Sequence, residues 1–128
     1  MESDLYTLFQ LMLHIQSHVS LLAYTTFRID VQAKYIVELF SEQDVQELFA
    51  SDIFKQEKKQ ILGGGAKTFF TGDFDGLVIK MGIKGKVIES STENTLLVRV
   101  GAGEEWSDFV EYANAQGRAG IENLIAIP

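Results

Sequence analysis

The sequence predicts an α+β fold, two small lobes of mixed sheet with packed helices, and three observations carry the prediction. Short runs rich in β-branched and aromatic residues, bounded by turn-formers, recur at 25–29, 35–40, 60–62, 77–81, 87–89 and 95–100. Two stretches have helical spacing instead: Val45, Leu48 and Phe49, and then Trp106, Phe109, Val110 and Ala113 at i, i+3, i+4 and i+7. The order of strands, helix, strands, helix along the chain argues for a mixed α+β arrangement.

The first element predicted is a helix over 5–18, with Leu5, Phe9, Met12 and Leu13, flanked by Leu8 and Ile15, on one apolar side. Its polar positions carry no Lys or Arg, so it reads as docked on the domain rather than lying on a membrane surface. His14 and His18 fall at i, i+4 on this helix, a spacing that can hold a metal, but no third ligand or H-E-x-x-H pattern accompanies them. They read as polar residues of a helix face.

Residues 25–29 and 35–40 then predict two short strands joined by a turn at 30–34. Ser41-Glu42-Gln43-Asp44 starts a helix, because Ser41 can accept a backbone N–H bond and the acidic residues meet the positive end of the helix dipole. The charged run 55–60 reads as a solvated loop. Gln60-Ile61-Leu62 is a short strand entering Gly63-Gly64-Gly65, and residues 71–76 read as a turn before the strand 77–81.

Residues 87–89 and 95–100 predict a hairpin pair around a loop at 90–94. Gly101-Ala102-Gly103 breaks the second strand, Glu104-Glu105 opens the helix that carries Trp106, and Gly117 is its C-terminal cap. The apolar run 120–128 reads as an element cut midway. The expected organisation is a helix over 1–19, a first lobe over 20–70 and the start of a second over 71–128, the lobes meeting near 67–76.

Bulk properties exclude several classes. Hydrophobic residues at 46% and charged residues at 23% rule out disordered and fibrous compositions. A formal charge of -7 argues against a sequence-independent nucleic-acid binder, since that binding is carried by Lys and Arg on phosphates. The chain has no cysteine, so it has no disulfide framework and no thiolate chemistry, and it reads as cytoplasmic. The apolar stretch near the start is interrupted by Thr7, Gln10 and His14 and preceded by Glu2 and Asp4, which argues against a signal peptide. It is also shorter than the roughly 20 residues that span a bilayer.

The chemistry centres on Gly63-Gly64-Gly65. Consecutive glycines let the backbone approach a ligand with no Cβ in the way, so that several N–H groups can converge on an anion. A pyrophosphate is the natural guest. The spacing matches neither the P-loop nor the G-x-G-x-x-G pattern, and a plain tight turn is the competing reading. Asp73, Asp75, Glu104 and Glu105 are accounted for by turn and helix-start roles.

Four stretches taken together go further. Thr25-Thr26-Phe27-Arg28-Ile29, Ile61 with the glycines that follow, Val100-Gly101-Ala102-Gly103-Glu104-Glu105-Trp106 and the run from Gly120 to Ile127-Pro128 occur in the order and spacing of one family. From about Ser20 onward the chain resembles the amino-terminal part of the UDP-N-acetylenolpyruvoylglucosamine reductases (UDP-N-acetylmuramate dehydrogenases, MurB), with residues 1–19 outside the match.

The resemblance implies an FAD-binding region of the vanillyl-alcohol oxidase and p-cresol methylhydroxylase type, in an oxidoreductase of peptidoglycan precursor synthesis. There, NADPH reduces FAD and the flavin reduces the enolpyruvyl group of a UDP-sugar. By position, Gly63, Gly64 and Gly65 are similar to the family's pyrophosphate loop, Ala66 and Lys67 standing where the family usually has Ser and Asn. Ala66 removes a hydroxyl donor; Lys67 is either a point charge for a phosphate or a solvated loop lysine. Thr25 replaces a common Asn, and Thr25, Thr26, Phe27 and Trp106 read as strand-start and core residues. Ile127 and Pro128 match the start of a segment that runs along the flavin. The resemblance places the catalytic Ser, Arg and Glu further along the family's chain, so it implies no catalytic residue here, and a UDP-sugar partner only for a full-length form. The alternative is a non-catalytic nucleotide-binding or interaction domain on the same scaffold.

Overall fold

The computed structural model describes residues 13–125 and 127. In order, these form β1 (Gln16–Ser20), β2 (Gln32–Leu39), α1 (Glu42–Ala50), α2 (Asp52–Gln56), β3 (Lys59–Leu62), β4 (Phe74–Met81), β5 (Lys86–Ser91), β6 (Leu96–Val100), α3 (Trp106–Ala115) and a 3-10 turn at Glu122–Leu124.

One sheet is four-stranded, in the order β1-β2-β4-β3. The β1–β2 pairing is antiparallel, whereas β2–β4 and β3–β4 are parallel. Strand β4 lies inside the sheet and is covered on both faces, which explains its unbroken buried run Gly76-Leu77-Val78-Ile79. On one face, Val37, Leu39, Leu77 and Ile79 pack with Leu48 of α1, backed by Val45, Ile53 and Phe54. Burial of Leu48 alone is worth about 1.5–3 kcal/mol. On the other face, Ala33, Ile36, Leu62 and Val78 lie under Leu21, Tyr24 and Val31, with Phe70 and Phe74 alongside. A register irregularity between Ala33 and Tyr35 lets Ala33 and Ile36, three residues apart, share that face.

The helix ends are chemically specified. Ser41 Oγ accepts from the Asp44 N–H at 3.1 Å while Asp44 accepts from the Ser41 N–H at 3.0 Å, a reciprocal capping box. Beyond α3, Gly117 has φ 68, and the N–H groups of Gly117 and Arg118 donate to the carbonyls of Asn114 and Ala113, the Schellman arrangement. Strands β5 and β6 form a separate antiparallel pair.

Several expectations are corrected. The helix predicted over 5–18 does not extend to its end: Gln16–Ser20 is a strand, with Ser17 opposite Tyr35 and Val19 opposite Ala33. The open edge of β2 offers backbone partners that outweigh the helical spacing. The part of that prediction before residue 13 lies outside the described residues. His18 therefore sits on β1 with φ 53, and the helical i, i+4 relation with His14 is absent.

Residues 25–29 are turns rather than a strand, held by Tyr24 N–H to the Leu21 carbonyl and Arg28 N–H to the Thr25 carbonyl. This segment lies across a sheet face, where Thr25 is buried, and Phe27 is exposed rather than core. The predicted 30–34 turn already belongs to β2 from Gln32 onward, and the 71–76 turn to β4 from Phe74 onward. The polar run 55–60 contains the end of α2 and the start of β3, whose exposed Lys59 and Gln60 suit a sheet edge. A lobe boundary at 70/71 would divide the four-stranded sheet, because β4 pairs with both β2 and β3; the change of sheet comes after Met81. Among the described residues no helix is long and apolar enough to cross a membrane.

Candidate functional site

The three parallel strands β2, β3 and β4 end on the same edge of the sheet, at Leu39, Leu62 and Met81. In open sheets with parallel strands, the edge beyond their carboxyl ends is where ligands collect. Two of the three chains leave this edge through glycine: Gly63-Gly64-Gly65 after β3 and Gly82 after β4.

The glycine triplet divides into two kinds of position. Gly65 is buried, has φ 75, and a Cβ there would overlap the Tyr24 carbonyl oxygen, so the fold itself requires glycine. Among the described residues, a Cβ on Gly63 or Gly64 would meet nothing within 4 Å. Among the described residues, packing gives no reason for glycine at these two positions and nothing fills the space where their Cβ atoms would stand.

Two of the loop's carbonyls are engaged, and among the described residues its amides are not. Lys80 Nζ donates to the Gly63 carbonyl at 2.6 Å, and the Thr26 N–H donates to the Gly65 carbonyl at 3.2 Å. In a trans peptide the C=O and the next N–H point in opposite directions, so these two bonds turn the N–H groups of Gly64 and Ala66 away from the residues that hold the carbonyls. Among the described residues, nothing accepts a hydrogen bond from the N–H groups of Gly64, Gly65, Ala66 or Lys67. Free amides grouped on a glycine turn form an anion-receptive concavity.

Lys67 is exposed and has φ 58, a left-handed conformation uncommon for a non-glycine residue. Ala66 is half-buried and supplies no side-chain donor. Beside the loop, Phe27 and Phe69 meet edge to face with centroids 5.4 Å apart, both more than half exposed at 52% and 56%.

Further glycine-rich turns reach the same sheet edge. The Gly82 N–H donates to the Leu39 carbonyl at 2.8 Å, and the Gly101 and Gly103 N–H groups donate to the Gly85 and Ile83 carbonyls, each at 2.8 Å. A Cβ on Gly101 or Gly103 would run into the backbone of residues 82–84, so close approach explains these two glycines. Glu104 fastens the junction, accepting from the Gly85 N–H at 2.8 Å and from Lys86 Nζ at 3.0 Å. The backbone bond first, then Lys86, holds its carboxyl below the usual 4.5.

Of the other predicted positions, Ile127 follows the 3-10 turn that neighbours α3 and is 40% exposed. Pro128 lies outside the described residues. Asp73 accepts from the Gln32 N–H at 2.9 Å, a structural tie between the starts of β4 and β2. Trp106 is half-buried at the start of α3, its ring 5.9 Å from that of Phe109. Hollows in the surface of the described residues include two that bear on these positions. One, between His18, Lys34, Asp73 and Asp75, lies at the opposite ends of β2 and β4 from the glycine loop. The other holds His14, Tyr24, Glu38 and Phe40, and Tyr24 joins it to Gly65. Lys80, which shapes the loop, belongs to none of the sequence motifs, its signal being a lone cation ending the apolar run Leu77-Val78-Ile79, and Thr26, which belongs to one, acts on the loop through its backbone N–H rather than as a strand-start residue.

Comparison with known proteins adds an independent observation. The family described as FAD binding domain matches residues 33–128. The chain is 38% identical over 116 residues to the UDP-N-acetylenolpyruvoylglucosamine reductase of Pseudomonas aeruginosa, covering 91% of this chain and 34% of that protein. It is 40% identical over 116 residues to the reductase of the same name from Vibrio parahaemolyticus, covering 91% and 33%. The chain thus spans about a third of the length of these relatives. A match over 91% of the chain leaves fewer residues uncovered than precede Ser20, so the likeness begins earlier than the motifs indicate. Among solved structures, UDP-N-acetylenolpyruvylglucosamine reductase (MurB) from Thermus caldophilus superposes with TM-score 0.62 at 19% identity, over 91% of this chain and 39% of that one, a likeness of fold.

Proposed function

Since the chain belongs to the FAD-binding domain family, we propose that it is the FAD-binding amino-terminal region of an NADPH-dependent reductase of UDP-N-acetylenolpyruvoylglucosamine, acting in the cytoplasm in peptidoglycan precursor synthesis. Two reductases of that name, at 38% and 40% identity, support the choice of reaction. The observation that carries the site is the glycine loop itself: engaged carbonyls at Gly63 and Gly65 and, among the described residues, free amides from Gly64 to Lys67 and open space where Cβ atoms at 63 and 64 would stand.

These features fit a pyrophosphate. In our reading the N–H groups of Gly64, Gly65 and Ala66 receive the FAD pyrophosphate and Lys67 adds a solvent-side positive charge, while Ile127 and Pro128 lead toward the flavin. Bound FAD supplies the electron transfer, from NADPH to the enolpyruvyl group. The share of this chain is to bind and orient the cofactor: amides fixed before the ligand arrives lose little freedom on binding, and no residue here is assigned a catalytic role. A UDP-sugar is a partner of the full-length form alone, and we assign neither a nucleic-acid nor a membrane partner.

The test is to titrate the purified chain with FAD and follow flavin fluorescence, then desalt and measure retained flavin absorbance, with riboflavin as the control that lacks the pyrophosphate. Saturable FAD binding with weaker riboflavin binding supports the reading. Equal binding of the two would remove the pyrophosphate from the account, and no binding of either would favour a non-catalytic domain on the same scaffold.

A further inference from the structure

Among the described residues, Lys80 is the lysine that reaches the glycine triplet from inside the fold. It extends from β4, on the strand next to β3, and its half-buried ammonium sits 2.6 Å from the Gly63 carbonyl oxygen. Among the described residues no carboxylate pairs with it, although the chain carries an excess of acidic groups and Lys34, Lys55, Lys86 and Arg99 each find one. Glu38 stands opposite Lys80 in the β2–β4 register but is not within ion-pair distance, so among the described residues the half-buried cation is bonded to the carbonyl alone and leaves positive charge behind the Gly63–Gly64 peptide.

That arrangement has two consequences for the peptide. A charge-assisted bond to the carbonyl fixes the plane, and a planar trans peptide with its C=O held inward must present the Gly64 N–H outward. The same bond polarises the peptide, making the N–H a stronger donor toward an anion. Glycine at 63 and 64 otherwise leaves the peptide free to rotate, because neither position is held by side-chain packing.

We propose that Lys80 is the positioning residue of the anion site: it locks the Gly63–Gly64 peptide in the orientation that receives a phosphate oxygen and supplies the interior positive charge behind it. Lys67 is then the outer, replaceable cation and Lys80 the inner, structural one. The inference rests on the reading of the glycine loop as a pyrophosphate site, and its test separates the two.

The experiment compares wild type with Lys80→Met, which keeps chain length without charge, and Lys80→Arg, which keeps the charge. Backbone amide signals of Gly63, Gly64 and Gly65 are recorded in the absence of ligand, with those of Val78 and Ile79 reporting that β4 is intact. FAD and riboflavin affinities are measured in parallel. The expected result is a displaced Gly64 amide signal and faster amide exchange in Lys80→Met with β4 unchanged, and FAD affinity lowered roughly tenfold or more. Riboflavin affinity should be unaffected, and Lys80→Arg should recover most of the loss. An unmoved Gly64 signal, or FAD binding by Lys80→Met equal to wild type, would overturn the proposal. If wild type binds no FAD, the reading of the site is what fails; the ligand-free Gly64 signal still decides whether Lys80 positions the loop, a shift supporting it and no shift overturning it.

Discussion

Gly65 lies against Tyr24 so closely that a Cβ on the glycine would overlap the tyrosine's carbonyl oxygen, while its neighbours Gly63 and Gly64 face open space. Gly65 also has φ 75, so Gly65→Ala combines a backbone clash with a left-handed conformation. We expect a loss of more than about 2 kcal/mol of folding stability, read from urea unfolding. A change below about 0.5 kcal/mol would show that the 21–31 segment can move aside, and would detach the glycine loop from its Tyr24 support.

Lys67 acts, in this account, as an exposed point charge at the mouth of the anion site. Such charges are worth little and are screened, so Lys67→Ala should weaken FAD binding about two- to fivefold at low salt, with the difference shrinking as salt is added. Thermal stability should stay close to that of wild type. Identical FAD affinities at low ionic strength would remove Lys67 from the site and leave it a solvated loop lysine.

Glu104 gives the turn junction a pH dependence. Its folded pKa is depressed below 4.5 by the Gly85 backbone bond first and by Lys86 second. A depressed carboxylate contributes stability that is fully present above its unfolded value and is lost as pH falls through its folded value. Wild type should therefore lose stability on acidification below about pH 4.5, whereas Glu104→Gln should start lower at neutral pH and lose less over the same window. Parallel urea midpoints against pH for the two proteins would contradict the assignment.

The exposed Phe27–Phe69 pair makes a prediction of its own. An edge-to-face pair of this kind is worth roughly 0.5–1.5 kcal/mol. A double-mutant cycle with Leu at both positions should return a coupling within that range, tying the 21–31 segment to the loop after the glycines. A coupling near zero would mean that the two rings are fixed independently.

How far the sequence was legible depends on whether the signal was local. The Ser41 capping box, the α3 stripe ending in Gly117 and the β5–β6 hairpin are each set by residues within a few positions of one another, and each was readable. Strand β1 was not, because Gln16–Ser20 is a strand through its pairing with the far edge of β2, and its spacing is helical. Residues 25–29 carry strand composition, yet the segment lies across a face as turns, held by the Arg28 N–H to Thr25 carbonyl bond and by the Thr26 N–H to the distant Gly65 carbonyl. At the site, the glycines stood out by type, but their inequality did not: only the fold shows that Gly65 is required by Tyr24 and that Gly63 and Gly64 are not required by packing. Lys80 was hidden for the same reason, since nothing in the chain between 63 and 80 announces that β3 and β4 are neighbours.

The central claim is that the space over Gly63 and Gly64 belongs to a pyrophosphate, and the most direct measurement is FAD binding by wild type and Gly64→Ala alongside their unfolding midpoints. Among the described residues a Cβ at position 64 meets no atom within 4 Å, so folding stability should change by less than about 1 kcal/mol while FAD affinity falls at least tenfold. A Gly64→Ala chain that binds FAD as well as wild type, or one that loses binding only because it unfolds, would contradict the account.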